Sequence, residues 1–319
     1  MNIHDIEKIN SYFATCMTGN ADNVIECKAG KGNIPVVEIK NKYASALISL
    51  QGAHVLSWVP KGEAEVIWVS ADASFAEGKS VRGGIPICWP WFGAHESNSE
   101  FPAHGFARTV YWDVGNARQL ETGETQITFK LNTKQASEKI KAMWPQDTEV
   151  EYIVTVGADL KLELVTRNNS SGDLKITEAL HTYFNVADVE RTCVDGLDGK
   201  IYLDKPDGFT RKTQNGLVNI KGEVDRVYLN TGDELIINDS CRKIIINKQG
   251  SESTIVWNPG KQVAEKMGDL GEDGYLKMLC VESGNAAENV VCVAAGESHV
   301  LQVAYEIDKI IAPMYSAYS

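Results

Sequence analysis

A small set of side chains in this sequence could move protons or hold an anion: Arg82, His104, Arg108, His181, Asp225 and Glu282. His181 stands in EALHTYFNV, at the end of an alternating run and beside Tyr183 and Phe184. An imidazole among apolar neighbours titrates near neutrality and can pass a proton. Glu282 follows the apolar run Leu279–Cys280–Val281. A carboxylate there either carries a raised pKa through burial or is satisfied by donors. Read singly, each has a plainer role: a satisfied core histidine and a solvated strand end. Asp225, in EVDRVY, reads alone as a turn carboxylate.

The least ordinary segment is SVRGGIPICWPWFGAH, residues 80–95. Its prolines and glycines fix an irregular backbone. Trp89, Trp91 and Phe92 offer flat apolar faces that suit the C–H faces of a sugar ring, and Arg82 offers a planar fork for an anion. The plainer alternative is a rigid loop with aromatic packing. In PAHGFAR, residues 102–108, His104 and Arg108 flank a glycine, and Arg108 would give a second cation. Alone, its His-Gly-Phe triplet suggests a structural histidine. The Arg-Gly-Gly triplet does not indicate RNA binding, because it occurs once in an acidic chain.

The elements that must position these groups read as strands. Apolar residues at helical spacing predict a short helix over Ile3 to Phe13, within an N-terminal extension of residues 1–20. After it the period becomes two. Strands are expected at Pro35 to Lys40, Ala44 to Leu50, Glu65 to Val69, Gln126 to Asn132, Leu174 to Tyr183, Glu234 to Ile237, Lys243 to Lys248, Ser253 to Trp257, Asn289 to Ala294 and His299 to Ile307. Glu149 to Val156 and Leu160 to Arg167 form the clearest hairpin, turning at Gly157–Ala158–Asp159. Residues 260–277 break the pattern as a loop with a helical turn. The fold class is all-β, one domain over residues 1–319.

Composition narrows the partners. The chain has 31 basic and 43 acidic residues, a net charge of −12. Nucleic acid and anionic membrane are therefore excluded as partners. No signal peptide or spanning segment is evident, and the seven cysteines form no CxxC pair. They read as reduced, buried residues of a cytoplasmic protein. Neither cysteines nor histidines show metal-ligand spacing, so no metal is expected. No heptad or apolar stripe argues against a monomer.

Together the segments VRGGIPICWPWFG (81–93), HGFAR (104–108), HTYFNV (181–186), EVDRVY (223–228), VWNPG (256–260) and CVESGN (280–285) resemble the aldose 1-epimerase superfamily, most closely its hexose-6-phosphate branch. They fall in the family's order and span most of the chain. The resemblance implies a β-supersandwich of the galactose mutarotase type. It implies an isomerase that interconverts the α and β anomers of a hexose 6-phosphate, with a small sugar phosphate as its partner and no cofactor. It assigns the general acid to His181 and the general base to Glu282. It assigns substrate holding to Arg82 and Arg108, sugar hydroxyls to Asp225 and a pocket contact to His104; Trp89, on the strength of its flat aromatic face, is expected as a further substrate contact. Ala103 departs from the pattern, since some members carry a polar residue such as Gln there. Rival readings are a mutarotase of unphosphorylated aldoses, a carbohydrate-binding module without catalysis, and a purely structural sandwich.

Overall fold

The computed structural model describes residues 5–16, 23–232 and 234–309. The N-terminal helix runs Ile6–Cys16 and buries Ile9 and Phe13; Ile3 lies outside the described residues. The helix does more than pack. Asn10 donates from Nδ2 to the Cys27 carbonyl at 2.8 Å and accepts from the Cys27 amide at 2.7 Å. This satisfies backbone groups on the edge strand Val24–Ala29, where pairing partners would otherwise be missing.

That edge strand opens a four-stranded antiparallel sheet with Pro35–Lys40, Ala44–Ser49 and His54–Pro60. A nine-stranded sheet forms one wall of the molecule. It runs from Val218–Asn219 through Cys193–Asp195, Leu235–Asn238, Arg242–Gln249, Ser298–Lys309, Leu160–Asn168, Thr148–Val156 and Thr125–Asn132 to Asp113–Gln119. The expected hairpin lies within it, next to the central strand Ser298–Lys309, with Val156 opposite Leu160. Alternation sets its faces: Ile127, Phe129 and Leu131 are buried, while Gln126, Thr128 and Lys130 between them are less so. Each such burial contributes about 1.5–3 kcal/mol.

The site-bearing sheet has eight strands. Its order is Thr210–Thr213, Ile201–Asp204, Val224–Leu229, Ser253–Asn258, Met278–Asn285, Glu178–Leu180 and Ile87–Cys88, with Tyr183–Asn185 also pairing with Met278–Asn285. Met278–Asn285 is buried at every residue. Residues 260–277 leave the sheet as two short helices, Gly260–Ala264 and Gly274–Lys277.

Two expected strands differ. Glu65 to Val69 forms only isolated bridges, Ile67 to Phe184 and Val69 to Gly83. Glu65 accepts the backbone amides of Trp58 and Ile67, so a side chain takes the place of ladder partners. Leu174 to Tyr183 is not one strand. Leu174–Ile176 pairs with Val291–Val293, whereas Glu178–Leu180 and Tyr183–Asn185 pair with Met278–Asn285. The break at residues 181–182 is what frees His181 from the ladder.

Candidate active site

Register builds the site. Directly opposed residues of antiparallel strands point to the same face. Asp225 is opposite Trp257, Trp257 is opposite Cys280, and Cys280 is opposite Tyr183. These four form one row across four strands. Two residues along, Leu203, Val227, Ile255 and Glu282 form the next row. His181 sits where the strand opposite Glu282 is interrupted, its amide donating to the Pro86 carbonyl at 3.1 Å. Its Nδ1 lies 3.3 Å from Glu282 Oε1.

Both groups are buried, His181 to 9 % and Glu282 to 1 % exposure. Burial holds the Glu282 carboxyl well above the usual carboxylate range, and neighbouring Asp225 adds to this. Burial also holds the His181 imidazole well below its usual range, helped by His104 and Arg108. Both shifts favour the neutral forms, a protonated acid beside an uncharged imidazole. That pair holds the same single proton as a carboxylate beside an imidazolium, so one transfer between the two interconverts them. His181 Nδ1 and Glu282 Oε2 have no hydrogen-bond partner among the described residues. Each unsatisfied buried group costs about 1–3 kcal/mol, which marks the spot as one kept for something other than stability.

Aromatic rings fix the histidine. Its ring stacks on Tyr183 at 4.8 Å with 7° between planes, and Trp257 meets it edge-on at 6.1 Å. Trp68 stacks behind Tyr183 at 6.0 Å. His104 approaches His181 at 5.8 Å between ring centres and rests edge-on against Phe92. The Gly93 amide donates to His104 Nδ1 at 3.3 Å, so the neutral ring carries its proton on Nε2. Burial, then Arg108, Lys205 and Arg82, bring the His104 pKa down to about 3.

Two glycines of the sequence segments now have reasons. Gly84 has φ +73°, and a Cβ there would come within 2.2 Å of His54 Nε2. Gly105 has φ +72°, and a Cβ there would come within 1.9 Å of the Trp89 carbonyl oxygen. Both positions require a residue without a side chain.

Three cations border the face. Arg82 donates from Nε to Asp269 at 3.1 Å and from Nη1 to the Tyr183 hydroxyl at 3.2 Å. Arg108 donates from Nη2 to the Ala103 carbonyl at 2.9 Å, and its buried Nε has no partner among the described residues. Ala103 thus serves through its backbone. Lys205 Nζ lies 2.6 Å from Asp225 Oδ2.

The structure gathers Arg82, His104, Arg108, His181, Asp225 and Glu282 around one face. Trp89 is a correction. It is fully buried, its indole donates to Thr166 Oγ1 at 3.1 Å, and it packs against Phe106 and Trp144. Its ring contacts are taken up by Thr166, Phe106 and Trp144, none of them a residue of this face. Sequence reading missed Tyr183, Trp257, Lys205 and Asp269 as site residues. Tyr183 and Trp257 lay inside the quoted segments without a role. Lys205 was hidden in a turn cluster, and nothing signalled Asp269. Metal-ligand spacing along the chain is absent, yet the sheet brings His181, Cys280 and Glu282 together, with donor atoms within 4.8 Å of one another. Among the described residues no helix is long and apolar enough to cross a membrane.

Comparison with known proteins supplies the family. A family model described as aldose 1-epimerase matches residues 35–306. A "putative glucose-6-phosphate 1-epimerase" of Escherichia coli (strain K12) is 36% identical over 272 residues, covering 84% of this chain and 89% of that protein. The crystal structure of a "putative mutarotase (YeaD)" from Salmonella typhimurium superposes with a TM-score of 0.83 at 31% identity, covering 95% of this chain and 99% of that one. A galactose mutarotase related enzyme from Lactobacillus acidophilus shares the fold, with a TM-score of 0.67 at 15% identity, over 86% of this chain and 97% of that one. The all-β architecture is thus that of the galactose mutarotase type, and with most of its length matched the chain belongs to the aldose 1-epimerase family.

Proposed function

We propose that this protein interconverts the α and β anomers of a hexose 6-phosphate, glucose 6-phosphate above all. The observation that carries this reading is the buried approach of His181 to Glu282 on a face bordered by Arg82, Arg108 and Lys205.

Ring opening needs one proton removed from the C1 hydroxyl and one delivered to the ring oxygen. The C1–O5 bond then breaks, C1–C2 rotates, and the reverse transfers close the ring on the other face. In the charge-separated form Glu282 takes the C1 hydroxyl proton and His181 protonates the ring oxygen. A bound sugar hydroxyl favours that form by supplying the hydrogen bonds that Glu282 Oε2 and His181 Nδ1 otherwise lack. Each positioned acid or base typically contributes about 10²–10⁴-fold. Asp225 and the Nε2 proton of His104 would orient other hydroxyls.

The name carried by the Escherichia coli relative supports a phosphorylated substrate. So does the cationic border in an acidic chain, since a hydrogen bond to a charged group contributes roughly 1.5–3 kcal/mol. Anomer exchange followed by NMR, on glucose 6-phosphate against glucose and galactose, tests the proposal. Faster exchange of the 6-phosphate is expected. Equal turnover of free and phosphorylated sugar would remove the phosphate assignment and leave a general aldose mutarotase.

A further inference from the structure

Beside the proton-transfer pair lies a donor that mutarotation does not use. Cys280 and Glu282 are two residues apart on one strand, so they share a face. The Cys280 thiol is fully buried, and burial holds it well above the ordinary thiol range. It is therefore protonated at neutral pH and inert toward the sugar. The thiol, an imidazole nitrogen of His181 and a Glu282 carboxylate oxygen all lie within 4.8 Å of one another. His181 Nδ1 and Glu282 Oε2 are buried there without a hydrogen-bond partner among the described residues.

We propose that His181, Cys280 and Glu282 form a binding site for a thiophilic divalent cation of the zinc class, and that the bound cation shuts off proton transfer. One sulfur, one nitrogen and one oxygen donor suit zinc, with a fourth position left to solvent or a sugar hydroxyl. Zinc bonds of about 2.0–2.3 Å require the three donors to draw together around the ion. Binding replaces two protons. The Cys280 S–H gives up its proton as the metal–sulfur bond forms, and the single proton held by His181 and Glu282 leaves as both become ligands. No electron is transferred. Affinity therefore falls as pH falls. Entry is past His181, whose side chain keeps 11% of its surface exposed while that of Glu282 keeps 1%.

Metal binding stands apart from the proposed function; the inhibitory effect rests on it. Cobalt(II) titration of the full chain reads binding directly, because a thiolate ligand gives a charge-transfer band. The band is expected in the unaltered protein and in a Cys241→Ser/Cys292→Ser variant, whose altered cysteines are the exposed ones. It is expected to vanish in Cys280→Ala and in the closer-sized Cys280→Ser, with near-UV circular dichroism confirming their fold. No band, or the same band without Cys280, overturns the site. Zinc should inhibit anomer exchange reversibly by chelator, at concentrations at least tenfold lower for the unaltered protein than for Cys280→Ala. Cys280-dependent cobalt binding without any loss of activity overturns the inhibitory role.

Discussion

His181 Nδ1 lies 3.3 Å from Glu282 Oε1, close enough for a proton to pass once aligned, yet among the described residues neither His181 Nδ1 nor Glu282 Oε2 has a hydrogen-bond partner. The pair is thus costly to fold and suited to proton transfer. Glu282→Gln replaces the resting neutral acid with a neutral amide of the same shape. It should lower kcat by about 10²–10⁴-fold, as should His181→Ala. The thermal midpoint of Glu282→Gln should hold or rise near neutral pH, because the buried side chain no longer has to take up a proton on folding. Turnover and a melting curve on the same sample check this; a large loss of stability with activity kept contradicts it.

Asp269 occupies the guanidinium fork of Arg82, and Leu270 beside it is buried against Trp68 and Tyr183. A phosphate on Arg82 must compete with that carboxylate. Asp269→Asn should lower KM for the 6-phosphate several-fold and leave free glucose unchanged, while Arg82→Ala should raise KM for the 6-phosphate alone. Steady-state kinetics on both sugars decide the matter, and parallel changes on the two would disconnect Arg82 from the phosphate.

Lys205 neutralises Asp225 at 2.6 Å and draws the Glu282 pKa downward against Asp225 and burial. Lys205→Met should favour protonated Glu282 and move the acid limb of the kcat profile to higher pH. Lys205→Arg should restore it. Stability should change by less than about 1 kcal/mol, since the lysine is exposed. An unmoved acid limb in Lys205→Met counts against this role.

His54 is buried, and its Nε2–H donates to the Gly83 carbonyl at 2.8 Å beside Arg82. Burial lowers its pKa to about 4. The unfolded chain takes up a proton near 6.5 and the folded chain does not, so stability is lost as pH falls from about 6.5 to about 4. The loss amounts to about 3 kcal/mol for this residue. His104, also lowered, acts in the same direction. His299, raised by Glu178 at 2.9 Å, acts oppositely: its contribution is present at low pH and fades as pH rises. Denaturant unfolding at pH 7 and pH 4.5 should show a smaller difference in His54→Gln than in the unaltered chain.

The sequence by itself determined the strand class and the family. Period-two alternation located the hairpin at 157–159, because one face of each strand must be apolar to pack. The six ordered segments, through the family they resemble, marked Arg82, His104, Arg108, His181, Asp225 and Glu282; read singly, the histidines and carboxylates among them favoured plainer roles. Which of them meet was decided by tertiary structure alone. Strand pairing is non-local, so the register that sets Asp225, Trp257, Cys280 and Tyr183 in one row leaves no trace in spacing along the chain. The same holds for Trp89, whose aromatic face suited a sugar until the core closed over it, and for Asp269, an ordinary loop carboxylate until folding brought it to Arg82. Burial, which only the closed sandwich supplies, then moved the proton affinities of His181 and Glu282 in opposite directions.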